Sequence, residues 1–291
     1  MNGNTNTTLT VENLDNGTKY FFVVTATAIE GGNTVYSLTS NQVSVTPQAP
    51  VAATGQLNDT GITLCGSVSG IISNSLDCDA VDDLGNPLVP GGQDGHYGRD
   101  VTANDDSDGH AGFSFTKLAA NGDELAAGAT EWSCVKDNVT GLIWEVKTDD
   151  GGLHDKDDRF TWYDTDTTRN GGFAGYANNY SGCASYDTNN EATWCNTQAF
   201  VARVNSGVGL CGANDWRMPT REELRSLVSY DRVNPAIDAD YFPNTVSSVY
   251  WSSSPYANRN SSTWALYFGY GSDSASSKGN LRSVRLVRSG Q

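Results

Sequence analysis

Apolar and polar positions alternate along residues 1–47. Leu9 and Val11 share a face, Tyr20-Phe21-Phe22-Val23-Val24 is a β-branched and aromatic run, and Gln42-Val43-Ser44-Val45 alternates again. A period of two is the mark of strands, and Asn16-Gly17 supplies a turn between them. The pattern lapses over 51–130, where Gly, Asp, Asn and Ser dominate, so irregular loops with short strands are expected there. It resumes from 131, a region that carries all seven Trp. Val139-Thr140-Gly141-Leu142-Ile143-Trp144-Glu145-Val146 predicts a strand. Ala199, Phe200 and Val204 come after Asn196 at helical spacing and predict a helix over 196–205. Thr220 and Glu223 form a capping box, and Leu224, Leu227 and Val228 continue it as the apolar stripe of a second helix. Trp264, Leu266 and Phe268 then alternate with Ala265, Tyr267 and Gly269, which predicts a strand with one core face and one exposed face. Ser283-Val284-Arg285-Leu286-Val287-Arg288 predicts a last strand. The fold class expected is α+β: two helices among short antiparallel strands, preceded by an all-β segment. The boundaries expected are 1–47 for that segment, 48–130 for a linker (Pro47-Gln48-Ala49-Pro50) and a loop-rich extension, and 131–291 for the main domain.

Composition narrows the function classes. Charged residues make up only 18%, and Gly numbers 31, which excludes a long-helix protein and highly charged disorder. The net charge of −16 argues against a nucleic-acid binder or an anionic-membrane binder, both of which need a basic face. No apolar run approaches the ~18 residues that a membrane span requires. Met1-Asn2-Gly3-Asn4 has neither the charge nor the apolar stretch of a signal peptide. The six cysteines, Cys65, Cys78, Cys134, Cys183, Cys195 and Cys211, contain no Cys-x-x-Cys pair, so they are read as disulfides. Sequence does not choose among the many connectivities; the pairing expected is Cys65–Cys78, Cys183–Cys195 and Cys134–Cys211. Disulfides imply an extracellular or cell-surface location, and the missing signal then implies that the natural N-terminus has been removed.

Enzymatic motifs fail on context. Gly207-Val208-Gly209-Leu210-Cys211-Gly212 matches a dinucleotide fingerprint, but it comes after a helix where the fingerprint needs a strand. His96, His110 and His154 lack metal-ligand spacing. Neither a nucleophile elbow nor a Walker loop occurs. Glu222-Glu223 lie in a first helical turn, where the macrodipole accounts for them. Asn104-x-Asp106-x-Asp108-Gly109 opens like a calcium loop, but Phe115 stands where a bidentate Glu is required. A looser structural calcium on Asp residues of 100–108, Asp106 and Asp108 foremost, is the cofactor expectation, with Gln93-Asp94 and the Asp155–Asp158 cluster as further candidates.

Two resemblances add to this. The stretch from Leu14-Asp15-Asn16-Gly17-Thr18-Lys19-Tyr20 onward resembles the last strands of a fibronectin type III domain, in which Tyr20 takes the corner position. Farther on come Asp137-Asn138-Val139-Thr140-Gly141-Leu142-Ile143-Trp144, then Leu210-Cys211-Gly212-Ala213-Asn214-Asp215-Trp216-Arg217-Met218-Pro219-Thr220. After them stand Asn234-Pro235-Ala236-Ile237-Asp238, Tyr241-Phe242-Pro243-Asn244, Tyr250-Trp251-Ser252-Ser253-Ser254 and Val284-Arg285-Leu286-Val287-Arg288. In this order they closely resemble the Lcl C-terminal domain family over about 131–291. That resemblance implies a C-type-lectin-like fold related to formylglycine-generating enzymes, a surface adhesin, and kinship with variable proteins diversified by retroelements at Asn codons.

The segment 256–283 carries the binding expectation. It is dense in Tyr, Ser, Gly and Asn, which combine rigid contact area with adaptable hydrogen bonding. It lies between two regular strands, the place for a recognition surface on a scaffold. The contact residues expected are Tyr256, Asn258, Arg259, Asn260, Tyr267, Tyr270, Ser272, Asp273, Ser274, Ser276, Lys278, Asn280 and Arg282. The function expected is non-catalytic binding of an extracellular glycan or protein, with a homo-oligomer conceivable. The alternatives are an oxidase of the formylglycine-generating type, which needs a free cysteine, and a structural trimerising tip.

Overall fold

The computed structural model describes residues 19–45, 58–67, 75–102, 106–177 and 180–290. Two compact units divide between Val51 and Ala52. Leu9, Val11, the Asn16-Gly17 turn and the Pro47–Pro50 linker lie outside the described residues.

The first unit has four short strands: β1 (Tyr20–Phe22), β2 (Thr27–Glu30), β3 (Asn33–Tyr36) and β4 (Val43–Val45). β1 pairs with β4 and β2 with β3, both antiparallel. Gly31 and Gly32 join the β2–β3 hairpin with φ of 58° and 85°, the left-handed pair that a tight hairpin turn requires. None of this unit's described residues whose side chains are placed is buried; Ile29 and Leu38 are 79% and 94% exposed.

The second unit opens with a short helix, α1 (Arg99–Thr102), and then builds a sheet from β5 (Phe115–Leu118), β6 (Cys134–Asp137) and β7 (Leu142–Glu145). Two helices come next, α2 (Thr197–Val204) and α3 (Arg221–Arg225). The chain ends in β8 (Val249–Pro255), β9 (Ser262–Tyr267), β10 (Ser272–Ser277) and β11 (Val287–Ser289). The strands form one sheet of order β11-β7-β6-β5 and another of order β10-β9-β8, every pair antiparallel. Few helices among small antiparallel strands make this a sheet-rich α+β fold.

The helix and strand signals after 131 have counterparts, but the strands expected over 139–146 and 283–288 are shorter, at Leu142–Glu145 and Val287–Ser289. The Asn196 side chain caps α2 by accepting from Ala199 N–H (2.8 Å). Thr220 and Glu223 complete the capping box of α3. That helix stops after five residues, yet Leu227 and Val228 beyond it are buried beside Leu224, so the apolar stripe outlasts the helix. The alternation along β7 separates two cores. Leu142 and Trp144 enter one with Phe113, Phe115, Leu224, Phe242, Tyr250 and Leu266. Ile143 enters the other with Phe160, Trp162, Phe200, Trp216, Trp251 and Ala265. β9 departs from expectation for the same reason. Its two faces meet different cores, so Ala265 is as buried as Leu266, while Trp264 is only half-buried.

All six cysteines are paired, as Cys65–Cys78, Cys134–Cys211 and Cys183–Cys195. The middle bond spans 77 residues and ties β6 to the turn before Trp216. On loop entropy it contributes about 4 kcal/mol. Replacing Cys134 and Cys211 by Ala together is expected to lower unfolding free energy in urea by about that amount, and more than removing Cys183–Cys195, whose separation is 12.

Candidate functional site

The segment 256–282 forms the central strand β9, the edge strand β10 and the turns of the β10-β9-β8 sheet, and the antiparallel register sorts its residues. Ser272, Ser274 and Ser276 stand opposite Tyr267, Ala265 and Thr263, whereas Asp273 and Ala275 stand opposite Leu266 and Trp264. Directly opposed residues share a face, so the first set continues the face that carries Trp251 and the second the face that carries Tyr250.

The expected contact residues therefore do not form one patch. Asn258, Arg259 and Asn260 are exposed in the β8–β9 turn, and Asn280 is exposed beyond β10. Tyr270 and Ser272 are exposed at the opposite end, about 17 Å away along a strand of this length. Tyr267 is half-buried there, its ring edge-on to Tyr270 at 5.4 Å. Gly271 closes this turn at φ 71° with Val228 pressed against it, where any side chain would collide. Ser274 is exposed on the β10 edge. Two residues belong to the scaffold instead. Ser276 is buried and accepts from Asn280 Nδ2 (3.2 Å) and from half-buried Arg282 Nε (3.3 Å). Lys278 is fully buried. Its Nζ donates to the carbonyls of Asn170 (2.7 Å) and Phe173 (2.6 Å) and lies 4.1 Å over the Trp162 ring. Burial lowers its ammonium to about 8.

A ridge on the Tyr250 side joins two expected residues to two that sequence did not indicate. Trp264 is half-buried, with the Arg221 guanidinium 4.5 Å over its ring and Tyr256 edge-on at 5.1 Å. Arg221 also pairs with Asp273 (3.5 Å) and Glu222. Arg221 N–H donates to Ser254 Oγ (3.0 Å), which fixes α3 against β8. Beyond the neighbouring rim residues, Thr220 and Ser253, opens a cleft of about 530 Å³ lined by Trp162, Asp164, Gln198, Arg217 and Met218 among others. Arg217 grips Glu223 through two bonds (2.8 and 2.7 Å). Burial pushes the Glu223 carboxyl up, but Arg217 and the Thr220 N–H outweigh it and hold it below the usual range. Nothing in the spacing of these residues marked the cleft, because its walls come from segments far apart in the chain.

The calcium expectation on Asp106 and Asp108 finds no shared site. Asp106 accepts from Ala111 N–H (3.1 Å) and Asp108 from Ser114 Oγ (2.5 Å), so each closes its own turn. Asn104 lies outside the described residues.

The family model described as the Lcl C-terminal domain matches residues 133–288, more than half of the chain. The chain belongs to this family. No curated protein and no solved structure matches it. Charged residues of the motifs that resemble the Lcl C-terminal domain have structural duties here. Asp137, fully buried, accepts from Val139 N–H (2.9 Å), Thr140 N–H (3.1 Å) and Asn58 Nδ2 (2.7 Å). Asp215 pairs with Arg288 (2.6 Å), while Trp216 is buried. Asp238 accepts from His110 N–H (3.0 Å). Arg285, fully buried, donates to the Glu145 carbonyl (2.6 Å) and to Thr245 Oγ1 (2.7 Å). Glu145 itself accepts from Lys147 (3.0 Å), His154 (2.8 Å) and Leu286 N–H (2.8 Å). Burial raises its carboxyl, but Lys147 and His154 outweigh that and hold it at about 2, below its ordinary 4.5.

These buried charges have measurable consequences. Lys278→Met leaves two buried carbonyls without a donor, so it is expected to cost about 2–4 kcal/mol in thermal or urea unfolding. Because Glu145 has a folded-state value below its unfolded one, the stability it contributes is complete above about pH 4.5 and is lost as pH falls toward 2. Urea midpoints of Glu145→Gln between pH 6 and pH 2 should therefore fall less steeply than those of the parent chain.

Proposed function

We propose that the unit beginning at Ala52 is a non-catalytic ligand-binding module of an extracellular or cell-surface protein. Its contact centre is the ridge of Tyr256, Trp264, Arg221 and Asp273, and its ligand is a glycan or a protein. The observation that carries this is Trp264, left half-exposed between Arg221 and Tyr256 on a sheet whose other tryptophan, Trp251, is fully buried. Tyr, Trp and Arg in one partly desolvated cluster are the residue types that dominate binding energy at interfaces. Exposed Asn258 flanks them and adds adaptable hydrogen bonds. A lectin-like arrangement of the domain, a fibronectin-type stalk in the first unit and a surface adhesin of the Lcl kind are the finer parts of this reading. Three disulfides fit an oxidising compartment, and no helix among the described residues is long and apolar enough to cross a membrane. The pairing of every cysteine leaves no thiol for formylglycine-type chemistry in the oxidised chain, which favours binding over that alternative.

The exposed positions Asn258, Asn260, Tyr270, Ser272, Ser274 and Asn280 are those at which diversification would alter the surface with little effect on stability. The test applies the purified chain to an array of neutral, amino and acidic oligosaccharides and to surface proteins of neighbouring cells. Trp264→Ala is expected to weaken the binding found by roughly 30-fold. Val208→Ser, on a loop residue 88% exposed, serves as control and should leave it unchanged. Equal binding by the parent and Trp264→Ala would remove the ridge from the reading.

A further inference from the structure

Among its described residues, the segment 58–112, which precedes the family domain, buries only Cys65, Val89 and Ala111 as hydrophobic residues, and its one α-helix there, α1, has four residues. What organises it around Gly98 is charge. The Asp59 carboxylate accepts from Thr60 N–H (2.8 Å) and Gly61 N–H (3.1 Å) through one oxygen, and from Arg99 N–H and Asp100 N–H through the other. Asp100 is 6% exposed, and its Oδ1 has no hydrogen-bond partner. That oxygen faces Asp59. A Cβ placed on Gly98 would lie 2.3 Å from Asp100 Oδ1 and 2.8 Å from Asp59 Oδ2, so the two oxygens converge on one side of a residue that has no side chain to separate them. Asp94, held by the Thr60 hydroxyl, is a third carboxylate near enough to act on Asp100. Burial, then Asp59 and Asp94, push the Asp100 carboxyl above its ordinary range.

A buried carboxylate oxygen without a donor, facing a second carboxylate, is costly unless a proton or a cation sits between them. We propose that Asp59 and Asp100 are the anionic ligands of a calcium ion that staples residues 58–61 to residues 94–102, with Asp94 as an outer charge. Oxygen-only donors suit a hard cation, and calcium tolerates the irregular geometry that loops provide. Asp94 stays in the outer role because no set of three carboxylate oxygens converges among the described residues. The cluster of Cys65, Cys78 and His96 does converge, but its thiols are spent in a disulfide. With two carboxylates, half-saturation is expected on the order of 0.1–1 mM, the range of extracellular calcium modules.

The test uses the full chain in about 0.15 M salt, which screens the diffuse attraction of a −16 surface. Equilibrium dialysis against calcium should show one ion fewer bound by Asp100→Asn than by the parent. Calcium at 2 mM should slow chymotryptic cleavage at exposed Tyr97 several-fold in the parent, and Asp100→Asn should not respond. Magnesium at the same concentration should protect little. Equal stoichiometry in the two chains, or equal calcium protection in both, would overturn the assignment. If Asp100→Asn loosens the segment on its own, the parent decides alone: cleavage at Tyr97 that is indifferent to calcium means that Asp100 is merely protonated.

Discussion

Glu145 is the point through which the second unit is joined. It is a fully buried carboxylate on β7, a position that is costly unless every lone pair is used. One oxygen takes Lys147 and His154, and the other takes the backbone N–H of Leu286. Its carbonyl receives Arg285, and its N–H donates to the Leu286 carbonyl (3.0 Å). A single residue thus clamps the C-terminal strand to β7 by side chain and backbone together. The stretch just before β11 in turn ties to the second sheet, because Ser283 N–H donates to the Val249 carbonyl and the Ser283 carbonyl accepts from Trp251 N–H, both at 3.0 Å. Removing the charge would free the end of the chain and, with it, the stretch to which the recognition sheet is tied.

The same logic recurs wherever loops are buried. A loop-rich interior presents carbonyls that no ladder satisfies. This fold answers with indole and cationic donors resting on aromatic faces. Trp162, Trp251, Trp216 and Trp132 donate to the carbonyls of Ser252, Phe160, Leu210 and Tyr241 at 2.7–2.9 Å. Lys117 donates to the Ala129 carbonyl (2.9 Å) while lying 3.8 Å over Trp132, and Lys278 repeats the arrangement over Trp162. Each such donor replaces a strand partner that the sequence does not provide, so the tryptophans act as hydrogen-bonding braces as much as core filler.

This explains which parts of the sequence were legible. Caps and periodicities are local, so α2, the capping box of α3 and a strand within 139–146 could be read directly, as could the family motifs. Lys278 could not. Within a run of Ser, Gly and Asn it has the look of a solvent-facing cation, and only the packing of 162–173 against it reveals two carbonyls and an indole. β9 misled for a related reason: alternation marks a face but not what covers it, and here both faces are covered. The cleft brings 162–169 and 197–201 together with 217–220 and Ser253, and the Arg221–Trp264 contact joins α3 to β9 across more than forty residues of chain, separations over which sequence patterning carries no signal.

The division of labour that results bears on how such a surface can change. The family motifs are anchored by buried ion pairs and caps, so substitution there strands a charge. The turns of the outer sheet carry no such burden except at Gly271, where positive φ and Val228 leave no room. Exposed Asn258, Asn260, Tyr270 and Asn280 make no contact on which the clamp at Glu145 depends. Trp264 and Arg221 lie between these regimes. They are exposed enough to meet a ligand, and they are held by Asp273, Tyr256 and Ser254 firmly enough to meet it in one geometry. A recognition surface built this way has a preorganised centre and an adjustable rim, and preorganisation at the centre limits the entropy lost when a ligand binds.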